Sequence, residues 1–127
     1  MSAVTFIAKK IESAPLKITL AIPPENPVLR GYFTGHAVIR SKDENKTLAD
    51  RVENDEFANN SEGLVKELYT KFEGIGDPNG NALEGDAAMK EVTEGPLSAY
   101  LIPAVVQAYY EQYGLARQGN FGKSRSR

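Results

Sequence analysis

Leu16-Lys17-Ile18-Thr19-Leu20-Ala21-Ile22 changes character at every second residue. A period of two sets Ile18, Leu20 and Ile22 on one face of an extended chain and Lys17, Thr19 and Ala21 on the other, the pattern of a half-buried strand. Just upstream, Val4 to Ile11 reads as a second strand, and Glu12-Ser13-Ala14-Pro15 between them is short and turn-like. The spacing therefore predicts an antiparallel hairpin of residues 4–11 with residues 16–22. A lone hairpin is marginal in water, so this one has to pack on a third strand, on its own helices or on a partner. Downstream, Pro23, Pro24 and Pro27 remove backbone donors and restrict the residues before them, and residues 23–30 read as an extended linker. Gly31 to Ile39 reads as a third strand, with Tyr32, Thr34, His36 and Val38 on one face and Phe33, Ala37 and Ile39 on the other. Gly35 weakens that pattern and marks a candidate bulge.

Beyond residue 40 the period changes to that of a helix. Ser41-Lys42-Asp43-Glu44 has the form of a capping box, in which a serine hydroxyl and a glutamate three residues later cap each other's backbone. The helix behind it, near 42–53, offers only Leu48, Ala49 and Val52 as an apolar face and belongs on the surface. Asn59-Asn60-Ser61 suggests another start, with Ser61 as N-cap. From there Leu64, Val65, Leu68 and Phe72 recur at helical spacing, and Gly74 and Gly76 are expected to end that helix. After the polar turn Gly76-Asp77-Pro78-Asn79-Gly80-Asn81, Ala87, Ala88, Met89 and Val92 form a short stripe. Gly95-Pro96 and then Pro103 interrupt the chain, and Val106, Tyr109, Tyr110 and Tyr113 line a last helix stopped by Gly114. The fold class expected is α+β: an N-terminal antiparallel hairpin or small sheet over residues 4–40, then a mainly helical bundle of three to five helices over 41–114. Residues 1–116 read as one domain and 117–127 as a flexible basic tail, whose composition cannot repay its ordering entropy.

The 127 residues suit a single domain with a modest core. A hydrophobic fraction of 41% and a charged fraction of 25% are those of an ordinary globular protein. The formal net charge of −2 gives no overall attraction to nucleic acid or to an anionic membrane. No apolar run approaches a membrane span, no secretory leader is expected, and cysteine is absent, which excludes disulfides and thiolate metal sites.

Each constellation that could carry chemistry is incomplete. Asp77, Asn79 and Asn81 have the one-three-five spacing of a calcium loop, but Ala82 and Ala88 stand where that loop needs glycine and glutamate. A turn explains the same residues. His36 is the sole histidine and has no linked nucleophile motif. Asp50, Glu53, Asp55 and Glu56 read as a solvated helix face. The basic end, with Arg117, Lys123, Arg125 and Arg127, comes without an aromatic platform, so specific nucleic-acid recognition is not expected. Tyrosine is more telling. Tyr100, Tyr109, Tyr110 and Tyr113 fall at several helical angles, too many to face one small core, and aromatic side chains are enriched at protein contacts. Val106, Tyr109, Tyr110, Tyr113 and Arg117 are thus the candidate partner-binding residues, with no catalytic, cofactor or metal residue among the expectations.

From Phe33 to Asn120 the order of the pieces resembles the tail assembly chaperones of long-tailed bacteriophages. The pieces are Phe33-Thr34-Gly35, then Phe72-Glu73-Gly74-Ile75, then Asp77-Pro78-Asn79-Gly80-Asn81-Ala82-Leu83, then Ile102-Pro103 and Ala108-Tyr109, and finally Ala116-Arg117 through Asn120. Phe72 stands where that family commonly has tryptophan. The resemblance implies a non-enzymatic, cofactor-free protein of the host cell cytoplasm that is absent from the mature virion. It implies the tape measure protein and the tail tube protein as partners, with self-association left open and no role for a membrane. The clear β content before residue 40 leaves a second reading, a structural subunit of the virion tail such as a tube, terminator or connector protein.

Overall fold

In the computed structural model, which describes residues 3–114, the alternating segment is a strand, but its partner lies downstream. β1 (Ser13–Ile22) pairs antiparallel with β2 (Leu29–Val38) from Ser13–Val38 to Ile22–Leu29. The proline-rich stretch is therefore not a linker over 23–30. It is the hairpin connection, opened by a cis Ile22–Pro23 bond and closed by Val28 N–H donating to the Ile22 carbonyl at 2.9 Å. Residues 4–11 form no strand and lie exposed. The expected 4–11/16–22 hairpin fails because the residues needed for its turn are already strand: Ser13, Ala14 and Pro15 pair with Val38, Ala37 and His36. The faces of β2 are as the alternation requires, with Phe33 and Ala37 buried.

The helices begin as their caps dictate. Ser41 and Glu44 exchange both bonds of the capping box at the head of α1 (Lys42–Glu53), which buries Leu48 and Ala49. α2 (Ser61–Leu68) is capped one residue earlier than expected, by the Asn60 side chain accepting from the Gly63 N–H at 3.0 Å. It also ends earlier. Tyr69–Glu73 is a strand, β3, which pairs antiparallel with β2 to give the sheet order β1-β2-β3. The helical stripe through Phe72 was misleading because the β2–β3 register slips: Gly35 faces Phe72 and His36 faces Lys71, but Ala37 faces Tyr69, leaving Thr70 as the extra residue. A slipped residue reverses side-chain parity, so Tyr69 and Phe72, three apart, both turn into the core. The irregularity sits there and not at Gly35.

α3 (Asp86–Glu94) and α4 (Ser98–Tyr113) complete the fold. Pro103 does not break α4. The carbonyl that loses its partner belongs to Ala99, and both residues lie on the exposed face, within reach of solvent. Gly114 ends α4 in the left-handed conformation, φ 69°. A continuous core joins sheet and helices through Ile18, Phe33, Leu48, Leu68, Val92 and Val105. Within it runs a chain of rings: Phe33 edge-on to Phe72 at 5.7 Å, Phe72 to Tyr69 at 5.0 Å, Tyr69 edge-on to Tyr109 at 5.9 Å, and Tyr109 to Tyr113 at 4.8 Å. Among the described residues no helix is long and apolar enough to cross a membrane.

Candidate protein-binding surface

The tyrosines of α4 divide between core and surface. Leu101, Val105 and Tyr109, four apart, form the buried stripe of the helix. Tyr109 is 1% exposed, its hydroxyl donates to the Val38 carbonyl at 2.7 Å, and burial raises its pKa. Its ring thus ties α4 to the end of β2 and offers nothing to a partner. Val106, Tyr110 and Tyr113 are half-buried against the core, and burial raises the Tyr110 pKa too. Arg117 and the rest of the expected tail lie outside the described residues. Tyr69, which the sequence did not single out, is the second structural tyrosine: its hydroxyl donates to the Val105 carbonyl at 2.7 Å and burial drives its pKa upward.

The large exposed apolar side chains lie elsewhere, at the far end of the hairpin and on the segment before β1. Val28, Leu29 and Tyr32 stand out at the hairpin, and Tyr100 at the start of α4. The hairpin overhangs the helices, leaving a cleft of about 330 Å³ between its inner face and the start of α4. Leu20, Ile22, Leu29 and Phe33 line it from the sheet, and Ile75 and Leu101 from the other side. Gly31 opens its floor, since a Cβ built there meets nothing within 4 Å. Sequence reading missed this surface because the prolines hid Val28 and Leu29 in a supposed linker. Two alternating runs flanking a short proline-rich connection were the available signal.

The polar groups are occupied in holding the scaffold. The Asp77 Oδ1 accepts from the Asn79 and Asn81 N–H groups, each at 2.9 Å, so the calcium-like spacing is a turn closed by its own aspartate. His36 and Glu73 pair across β2 and β3 at 2.7 Å, and this bond to His36 holds the Glu73 carboxyl below its usual range. Arg40 reaches from the end of β2 to the Glu67 carbonyl at 2.5 Å and to the Tyr109 hydroxyl at 3.5 Å. Arg51 bonds Glu56 at 2.6 Å and Glu67 at 3.3 Å, which holds its guanidinium firmly protonated. Among the described residues no group of three or more His, Cys, Asp or Glu side chains is placed to hold a metal ion. No protein-family model, curated protein or solved structure matches the chain.

Proposed function

We propose that this protein is a tail assembly chaperone of a long-tailed bacteriophage. It acts in the host cytoplasm by shielding the apolar stripe of the tape measure protein and by helping to recruit tail tube subunits, with no catalytic step. The cleft under the hairpin carries the reading. Its lining is mostly apolar, with Arg30 and Glu91 as its charged members, and its floor at Gly31 is bare. An amphipathic helix lays side chains spaced three and four apart into such a groove, and a long tape measure helix must keep its apolar stripes covered until the tube encloses it. The order of motifs from Phe33 to Asn120 supports the same reading.

The test is co-expression with a tape measure protein of the same phage, followed by affinity measurement. Gly31→Ile fills the cleft with a residue that strands favour and meets no atom at its Cβ, so the fold persists while binding falls by about tenfold or more. Unchanged affinity in a folded Gly31→Ile protein removes the cleft from the mechanism. The rival reading, a tube, terminator or connector subunit, draws on the open β1 edge of the sheet. It requires the chain in purified virions at stoichiometric amounts, which mass spectrometry decides.

A further inference from the structure

Residues 3–12 make an arm with no cover. Every one of them is exposed, yet Val4 is 78%, Phe6 80% and Ile7 73% accessible. Large apolar side chains grouped on one short segment mark an interaction site. The arm also has the make-up of a strand, rich in β-branched and aromatic residues.

Its own sheet cannot receive it. Folding back onto β1 needs a reversal at about residues 12–15. There the Glu12 carbonyl accepts from Ile39 N–H at 2.9 Å, and Ser13, Ala14 and Pro15 are paired with β2. The chain bends at Glu12, and the arm leaves the sheet there.

A fitting acceptor is the outer edge of β1 itself. In the order β1-β2-β3, β1 has a neighbour on one side only, and a free edge presents unpaired N–H and C=O groups to any strand that can lie along it. Pro15, which lacks a donor, sits near the start of this edge, leaving Leu16 to Ile22 to pair. Beside the edge runs a cleft of about 400 Å³ between β1 and α4, walled by Leu20, Ile22, Tyr100, Pro103 and Ala104. An added strand would drop alternate side chains into it.

We propose that the arm of one copy adds as a fourth strand to the β1 edge of a second copy, and that the second copy returns the contact, closing a two-fold dimer. The self-complementarity is in the sequence. When residues 4–22 of two chains run antiparallel with Phe6 opposite Ile18, Val4 meets Leu20 and Ala8 meets Leu16. All of these continue the inner face of β1, where Ile18 is already buried. The same register sets Ile7 opposite Lys17, Lys9 opposite Pro15 and Lys10 opposite Ala14, and brings the two Glu12 residues together at the two-fold axis. Shifting it by one reverses the faces of the whole arm. A two-fold contact of this kind closes on itself and leaves no free β1 edge. The inference does not depend on the proposed function and fails or stands separately from it.

Light scattering on the full chain at about 100 µM tests the assembly. The wild type should be a dimer. Phe6→Asp should weaken it by about tenfold or more with the far-UV spectrum unchanged, since Phe6 is 80% exposed within its own chain. The absence of cysteine allows a second readout. Thr5→Cys combined with Thr19→Cys, treated with a short bismaleimide, should link two chains into a covalent dimer. A monomeric wild type, a dimer unaffected by Phe6→Asp, or a link formed only within one chain would each overturn the proposal.

Discussion

Two glycines on the inner face of β2 should respond oppositely to the same substitution. A Cβ at Gly35 would lie 2.6 Å from Tyr69 Cε1 and 2.7 Å from Cδ1, with Ile18 Cδ1 at 3.1 Å. The Tyr69 ring cannot retreat. Its hydroxyl is fixed on the Val105 carbonyl, and the rings of Phe72 and Tyr109 stand on either side. Forcing a methyl into such a place costs about 1–3 kcal/mol. Replacing glycine inside a strand returns about 0.5–1 kcal/mol, so Gly35→Ala should lose about 1–2 kcal/mol net. At Gly31 a Cβ meets nothing within 4 Å, and Gly31→Ala should be neutral or gain a few tenths of a kcal/mol. Urea unfolding followed by far-UV circular dichroism separates the two. With a slope of about 1–2 kcal/mol/M the Gly35→Ala midpoint falls by about 1 M, whereas that of Gly31→Ala does not fall. Tyr69→Leu should then lessen the penalty of Gly35→Ala, giving a non-additive double-mutant cycle. Equal midpoints for the two alanine variants, or strict additivity with Tyr69→Leu, would refute the crowding argument.

Phe72 is 1% exposed and stands between Phe33 and Tyr69, so Phe72→Ala should cost about 3–5 kcal/mol. An unchanged urea midpoint would contradict its place in the core. Glu44, bonded to the Ser41 backbone, Glu56, bonded to Arg51, and Glu73, bonded to His36, all have carboxyl pKa values held below the ordinary 4.5. A carboxyl with a depressed folded value stabilises the fold while ionised. Its contribution is present above pH 4.5 and is lost as pH falls through the folded values beneath it. Urea midpoints measured down through that window should fall less steeply when the three glutamates are replaced by glutamine, and equal slopes would count against the assignment.

How far the fold was legible depended on whether a pattern stayed regular. The start of α1 followed from Ser41 and Glu44, and the end of α4 from Gly114, because a cap is a local bond between residues close in sequence. The faces of β2 followed from strict alternation. Legibility failed where tertiary pairing overrode a local pattern. Leu64, Leu68 and Phe72 have helical spacing, but the bulge at Thr70 lets Tyr69 and Phe72 share a face in a strand. Residues 4–11 have strand character without a strand, because their pairing partner is not within reach in the same chain. The candidate surface was legible in part. Of the α4 tyrosines, Tyr100 is exposed and Tyr110 and Tyr113 are half-buried, whereas Tyr109, like Tyr69 of β3, spends its hydroxyl on a backbone carbonyl inside the fold.

That use of tyrosine explains why the exposed apolar surface lies at the opposite end of α4. The C-terminal half of the helix is held by the ring chain and by Tyr109 bonded to Val38, with Arg40 bonded to Glu67 alongside. These contacts anchor it to β2 and α2. The N-terminal half, from Leu97 to Ala104, lies over the far end of the hairpin, where β2 carries Gly31 in place of a bulky side chain and Leu29 at the margin. One cleft opens on each side of it, toward Ile75 and toward the β1 edge. A helix fixed at one end and flanked by clefts at the other gives a partner a rigid, preformed surface, so little ordering has to be offset on binding. The two clefts suit different guests. The inner one is an open trough between sheet and helix, as a helical stripe requires. The outer one runs along the unpaired edge of β1, as an incoming strand requires.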